Sequence, residues 1–419
     1  MKNGSRMVGF GIGVALLLAL GVSSRAADWP QWRGPNRDGV CTETGLLQSW
    51  PSGGPKMVWT TTGLGAGYST VSVVGDRIFT SGETASSSSV ICLDARTGKQ
   101  VWTAKLGKPG APGWGGFAGP RATPTYDDGR LYTVDQWGSL VCHDAASGKE
   151  IWRKEYTMDF GGNRPEWGFS ESPLVDGQKV IVTPGGPKGA IVALNKKTGA
   201  VLWQSREFTD PAHYSSIVIA AHAGTKQYVQ LTPAHVAGFD PEKGSLLWQA
   251  PRVGRTAVIP TPVCDGDFVF VTSGYGAGCN LFKVSREGQS LKATEVYANK
   301  NIVNHHGGVV KVDKYIYGHS DGKGWTCLDF ESGEVKWQEK SNLGKGAVLA
   351  VGKQLILRQE DKAGTLVLID ATPDGWKEHG RFDQPERSKK NSWPHPVVAD
   401  GKLYIRDQEV LLCFDVKAK

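Results

Sequence analysis

The chain has 419 residues, 39% of them hydrophobic, with 55 glycines, 15 tryptophans and a formal charge of +7. Lys2, Arg6 and Arg25 supply three of those charges within the first 26 residues, so the rest of the chain carries only about +4. Spread over a large surface, that excludes the footprint of a nucleic-acid or anionic-membrane binder, and no linker or charge block divides the chain.

The opening reads as a targeting segment. Lys2 and Arg6 precede an apolar run from Val8 to Val22, and Ser24-Arg25-Ala26 follows. This is the pattern of a secretory signal peptide over residues 1–26, cut after Ala26, with an apolar stretch too short for a membrane span. No cysteine stands at the cut for a lipid anchor, because Cys41 lies 15 residues beyond Ala26. The expected product is a soluble monomer, periplasmic or secreted, with residues 27–419 as a single domain.

A short β run, 54–60, comes next and is spare: it precedes the first of a series of repeats. Each repeat begins with two strands joined by a tight turn, as in Thr123 to Val134, where Asp127-Asp128-Gly129 supplies the positive φ a hairpin needs. A phrase then closes each unit, and Cys92-Leu93-Asp94-Ala95-Arg96-Thr97-Gly98-Lys99-Gln100-Val101-Trp102 is its clearest copy. Cys142 to Trp152, Ala193 to Trp203, Gly238 to Trp248 and Cys327 to Trp337 repeat it, while 283–292 and 368–380 are worn copies. The turn glycines Gly98, Gly148, Gly199, Gly244, Gly288 and Gly333 are spaced by 50, 51, 45, 44 and 45 residues. Four short strands at that period mean a propeller blade. Trp59, Trp102, Trp152, Trp203, Trp248 and Trp337 are expected to be buried where neighbouring blades dock.

Strand starts near Ser69, Ala122, Ser170, Ser215, Thr261, Gly307, Gly346 and His395 count eight units, with seven as the alternative. The eighth ends after Leu411-Leu412-Cys413-Phe414-Asp415, too soon for a fourth strand. Residues 54–60 supply that strand and close the ring, pairing two edges that would otherwise invite aggregation. The fold is therefore all-β: an eight-bladed propeller of four-stranded antiparallel blades.

The seven cysteines do not read as a disulfide set. Cys92, Cys142, Cys327 and Cys413 occupy one inward position on the third strand of different blades, too far apart to bridge. Cys264 and Cys279 share a unit, and their pairing stays open.

Polar and aromatic residues gather where the innermost strands begin: Tyr68, Arg121, Trp167 with Glu171, His213 with Tyr214, Arg255, Asn304-His305-His306, Lys345, and Trp393 with His395. That phase of the repeat surrounds one mouth of the central channel. Arg121, Arg255 and Lys345 would offer exposed charge and Trp167 and Trp393 stacking faces, to a protein partner or a small anionic or aromatic ligand. No metal site is assigned; whether His213, His305 or His306 and His395 converge is beyond the spacing alone.

The phrases resemble the quinoprotein-type repeat, Ala-x-Asp-x-x-Thr-Gly-x-x-x-Trp, over nearly the whole mature chain. That family holds dehydrogenases dependent on pyrroloquinoline quinone (PQQ) and the non-catalytic propeller BamB. The opening Asp28-Trp29-Pro30-Gln31-Trp32-Arg33-Gly34-Pro35-Asn36-Arg37-Asp38-Gly39 looks like the start of exported PQQ-like repeat proteins. The resemblance implies a binding or scaffold propeller or, alternatively, a quinoprotein oxidoreductase holding PQQ with calcium. For the enzyme, Glu171 and Asn304 stand where calcium ligands would be, but no aspartate completes the set at the next blade start. The adjacent-cysteine disulfide of those dehydrogenases and a Cys-x-x-Cys-His haem motif are also missing from the sequence. The chain is expected to be a non-catalytic, BamB-like exported propeller with its site at the mouth.

Overall fold

The computed structural model describes Met1 and residues 28–418, so the signal-peptide assignment for residues 1–26 lies outside the described residues. Eight antiparallel sheets form a ring. Blades one to seven run over residues 72–107, 125–155, 174–204, 218–251, 263–299, 309–339 and 346–382. Blade eight comprises Val397–Ala399, Lys402–Asp407 and Val410–Asp415, and its fourth strand is Lys56–Thr61 from the other end of the chain. Lys56 faces Asp415 and Thr61 faces Leu411 across that seam, so the last blade is closed by the first strand of the ring. No described helix is long and apolar enough to cross a membrane.

The repeat phrase does the docking. The indole N–H of Trp59 donates to the Ala95 carbonyl of blade one at 3.1 Å, and Trp102 donates to Ala145 of blade two at 3.2 Å. Trp152, Trp203 and Trp337 bond in the same way to Lys196, Pro241 and Thr372 of the next blade. Gly148 shows why the turn needs glycine: its φ is +74°, and a Cβ there would stand 2.6 Å from the Trp102 ring. In blade five, which lacks the tryptophan, Tyr297 fills the role and donates to the Phe330 carbonyl at 2.9 Å.

Two expectations need correction. Only Trp152 and Trp248 are buried; Trp59, Trp102, Trp203 and Trp337 are half-buried, because each lies near the rim with one ring edge open. Trp248 also docks differently, donating to Gln227 Oε1 in its own blade. Blade five carries no Asp-x-x-Thr-Gly turn to receive it. The worn copy at 283–292 instead forms a hairpin of two ten-residue strands, Gly278–Glu287 and Ser290–Asn299. All seven cysteines are free, including Cys264 and Cys279.

The segment after residue 27 goes where no repeat would put it. Asp28 Oδ1 accepts the Gly75 N–H, Trp29 bridges Val73 of blade one, and the Pro30 carbonyl takes the Tyr126 N–H of blade two. Trp32 donates to Thr261 Oγ1 beside blade five and packs 4.7 Å from the His395 ring of blade eight. Arg33 donates to the Val309 carbonyl of blade six, and Arg37 to the Ser172 and Pro173 carbonyls of blade three. Val40–Cys41 then adds a parallel fifth strand to blade seven. A stretch this short that touches seven blades lies on the axis. It enters and leaves among the turns joining first and second strands: Asp28 at Gly75, and Glu43 at the N–H groups of Asp400 and Gly401. The channel is thus plugged from that face, which leaves the mouth at the strand starts as the opposite end.

Candidate functional site at the channel mouth

Six side chains from the mouth form one continuous row. The Arg121 guanidinium lies 5.7 Å over the Tyr68 ring, Tyr68 stacks on Trp393 at 4.3 Å, and Trp393 stacks on His306 at 4.2 Å and 15°. His306 meets His305 at 3.7 Å, and the Lys345 ammonium donates to His305 Nδ1 at 3.0 Å. Aromatic faces in the middle and a cation at each end is a favourable order, since each cation meets π electrons or a ring nitrogen. Phe117 and Tyr275 widen the row, 5.1 Å from Trp393 and 4.7 Å from His305. Trp114, Trp167, Tyr214 and His213 make a second aromatic run with centroid spacings of 6.2, 6.1 and 4.9 Å.

The charges are set by burial. Lys345 and His306 hold Glu360 between them, at 3.2 and 3.4 Å. Burial opposes ionisation of Glu360, yet these neighbours bring it down to about 2, so it is a carboxylate. Burial, then His306 and Lys345, push His305 down to about 3; burial pushes His213 to about 4, and burial with Arg33 pushes His395 to about 3. All three are neutral imidazoles near pH 7. His213 Nδ1 accepts the Val258 N–H at 3.1 Å, which places its proton on Nε2; the Lys345 bond fixes His305 in the same form.

Several residues expected at the mouth stand elsewhere or are already engaged. Arg121 is not an exposed charge: its guanidinium donates to the Gly119 and Phe117 carbonyls, and burial lowers it to about 10. Arg255 is exposed, as expected, but no contact joins it to the row. Glu171 is buried beneath the rim, accepting the Thr183 N–H and the Tyr156 hydroxyl, and burial raises it to about 7. Asn304 is buried too, its amide donating to Gly308 and His319 carbonyls at 3.0 Å. His395 faces the plug, against Trp32 and the His306 carbonyl. Sequence reasoning missed Glu360, Trp114, Phe117, Tyr275 and the whole plug. Glu360 left one signal, a carboxylate directly after the strand Gln354–Gln359.

The residues present do not fit a calcium-held quinone. Glu171 and Asn304 are each bonded within their own part of the ring, and the charge that acts on Glu171 is the Arg37 guanidinium of the plug. A carboxyl raised to about 7 beside an arginine is a poor calcium ligand. No group of three metal-ligating side chains converges among the described residues.

Ring and mouth define the class: an eight-bladed propeller of tryptophan-docked repeats with a plugged channel. Residues 86–339 match the family described as outer membrane protein assembly factor BamB, and the chain belongs to this PQQ-like repeat family. No curated protein matches the chain. Among solved structures, BamB from Moraxella catarrhalis is similar at 15% identity and a TM-score of 0.61, over 86% of this chain and 99% of that one. The quinohemoprotein alcohol dehydrogenase from Comamonas testosteroni is similar at 14% identity and a TM-score of 0.61, over 94% of this chain and 81% of that one. At such identities the likeness shows the fold alone.

Proposed function

We propose that this protein is an exported, non-catalytic binding propeller that engages a ligand or protein partner at its mouth. The observation that supports this reading most directly is the cation-capped row from Arg121 to Lys345. It gathers residues from five separate blade starts onto one face and leaves Trp393, His305 and His306 only half-buried. A row of aromatic faces capped by two cations, its imidazoles neutral, suits recognition more than proton transfer. Membership of a family described by an assembly factor supports the scaffold reading in the same direction.

The test places a photo-crosslinking residue at Arg255 or Trp114 on the mouth, and at Lys99 on the opposite face, in protein exported by its host. Adducts from the mouth positions alone are expected. Dye-linked alcohol oxidation that saturates with added PQQ and calcium would replace this reading with the oxidoreductase one.

A further inference from the structure

Six arginines of the plug and ring are buried or half-buried and hydrogen-bond only to neutral groups. Arg33 and Arg37 of the plug donate to carbonyls and to Gln31. Arg252 donates to Asn280, Ser273 and the Gly278 carbonyl. Arg358 uses Gln384 and the Pro394 and Arg406 carbonyls, while Arg406 uses Thr80 and the Leu64, Gly65 and Gln408 carbonyls. Arg121, already described, is the sixth. Among the described residues none of the six forms an ion pair. Buried charges are normally paired, because desolvation is expensive and only an opposite charge repays it well. The nearby acids bond elsewhere, Glu360 to Lys345 and His306 and Asp407 to Arg387 at 2.5 Å, and reach these arginines only through space, as Asp407 does Arg358 and Glu171 does Arg37. Acids act on them only through space, and Arg121 is the one that reaches the aromatic row, so the mouth favours an anionic group there.

The mouth offers two more kinds of contact. Flat faces come first. Trp114 is 72% exposed on a glycine-rich loop, between Gly113 and Gly115 with φ of +73° and +91°. Its backbone is held, because its carbonyl accepts the Trp167 indole N–H and its own N–H donates to Glu166, and its ring meets Trp167 edge-on at 6.2 Å. Tyr275 is 43% exposed, and Trp137 lies under Lys108 at 4.2 Å and Arg164 at 5.1 Å. Neutral donors come second: the Nε2–H groups of His213 and His305 have no partner among the described residues.

We infer that the mouth binds an acidic saccharide, its sugar C–H faces against Trp114 and Tyr275, its hydroxyls on His213 and His305, and its acid group at Arg121. The inference rests on the mouth reading above and names its ligand class. A planar aromatic acid would leave the neutral imidazoles idle, and a nucleic acid would call for a track of exposed cations rather than buried ones. Arg121 carries the acid group because it is the member of the six that lies in the aromatic row; Nε of Arg33, Arg37 and Arg358 is sealed from solvent.

The test follows tryptophan fluorescence during titration with trigalacturonate and with a chondroitin sulfate disaccharide, using neutral maltotriose, inorganic sulfate and a nucleoside monophosphate as controls. Both acidic sugars should bind at least tenfold more tightly than any control and weaken as salt rises. Trp114→Ala, an exposed change that leaves the fold intact, should cut affinity severalfold, and Arg121→Gln at least tenfold with a normal circular dichroism spectrum. Equal binding of maltotriose, or of sulfate or the nucleotide, would overturn the saccharide assignment. So would no binding of either acidic sugar. If mouth crosslinks persist in that case, the mouth reading stands and only the ligand class falls.

Discussion

The Trp393 indole lies nearly parallel to the His306 imidazole, 4.2 Å away, although one begins blade eight and the other blade six. Blade seven opens with Gly344-Lys345-Gly346, and its backbone comes so close to Gly307 of blade six that a Cβ there would stand 1.7 Å from the Gly346 carbonyl oxygen. The Trp393–His306 pair roofs part of the mouth, and it carries the influence of Lys345 through His305 toward the centre.

That coupling has a measurable consequence. Lys345 is one of the charges holding His305 at about 3, so Lys345→Met should raise the His305 pKa. An NMR titration of the ring carbon protons reads this directly. An unchanged His305 value would mean that burial and His306 set it without Lys345.

Glu171 gives a pH prediction of definite sign. Its folded value, about 7, lies above the ordinary 4.5, so the folded state holds a proton that the unfolded state has released between those values. Its contribution is fully favourable below about pH 4.5 and is lost as pH rises through about 7. Glu171→Gln, which mimics the protonated group, should therefore match the parent near pH 4.5 and exceed it by about 3 kcal/mol above pH 7.5. Urea denaturation at the two pH values decides it.

Docking indoles should differ by how they bond. Trp152→Ala removes a buried ring and should cost roughly 3–5 kcal/mol, whereas Trp152→Phe loses chiefly the bond to the Lys196 carbonyl and should cost about 1 kcal/mol plus a packing penalty. Gln227→Leu should also lower stability, because Gln227 accepts the Trp248 indole N–H and donates to the His222 and Thr225 carbonyls of the same blade. Chemical denaturation of the three variants checks the order.

The two N-terminal devices should separate. Loss of residues 28–45 removes the plug but keeps the closing strand, so a monomeric propeller of lower melting temperature is expected. Loss of 28–61 also removes the Lys56–Thr61 strand and should expose the edge of Val410–Asp415, giving oligomers in size-exclusion chromatography with light scattering. Equal behaviour of the two deletions would refute the closure.

The blades were legible because each repeats a local rule. The Asp-x-x-Thr-Gly turn, its positive-φ glycine and the tryptophan four residues on are set within eleven residues, and the spare strand was found by counting. Trp248 defied the rule because its docking depends on the next blade's turn, which a long hairpin replaced. At the mouth, phase predicted which residues approach the rim but not which way they turn. Tyr68, Trp393, His305 and Lys345 join the row, while Glu171 and Asn304 turn inward to bond with backbone groups. The plug has no period at all, and its hydrogen-bond partners lie up to 358 residues away, so no spacing could disclose them.

Those distances matter for how the molecule comes into being. Trp32 and Arg33 are made early, yet the Thr261 and Val309 atoms they bond are made much later, and the His395 ring later still. Blades can form one after another as the chain emerges, but the residues at its head must wait without partners until the tail is complete. Maturation then ends in a single late step of high contact order, in which the head is threaded into a finished ring. The same hub works in reverse: none of the seven blades that share this segment can leave the assembled molecule without disturbing it, so unfolding should be all or none rather than blade by blade.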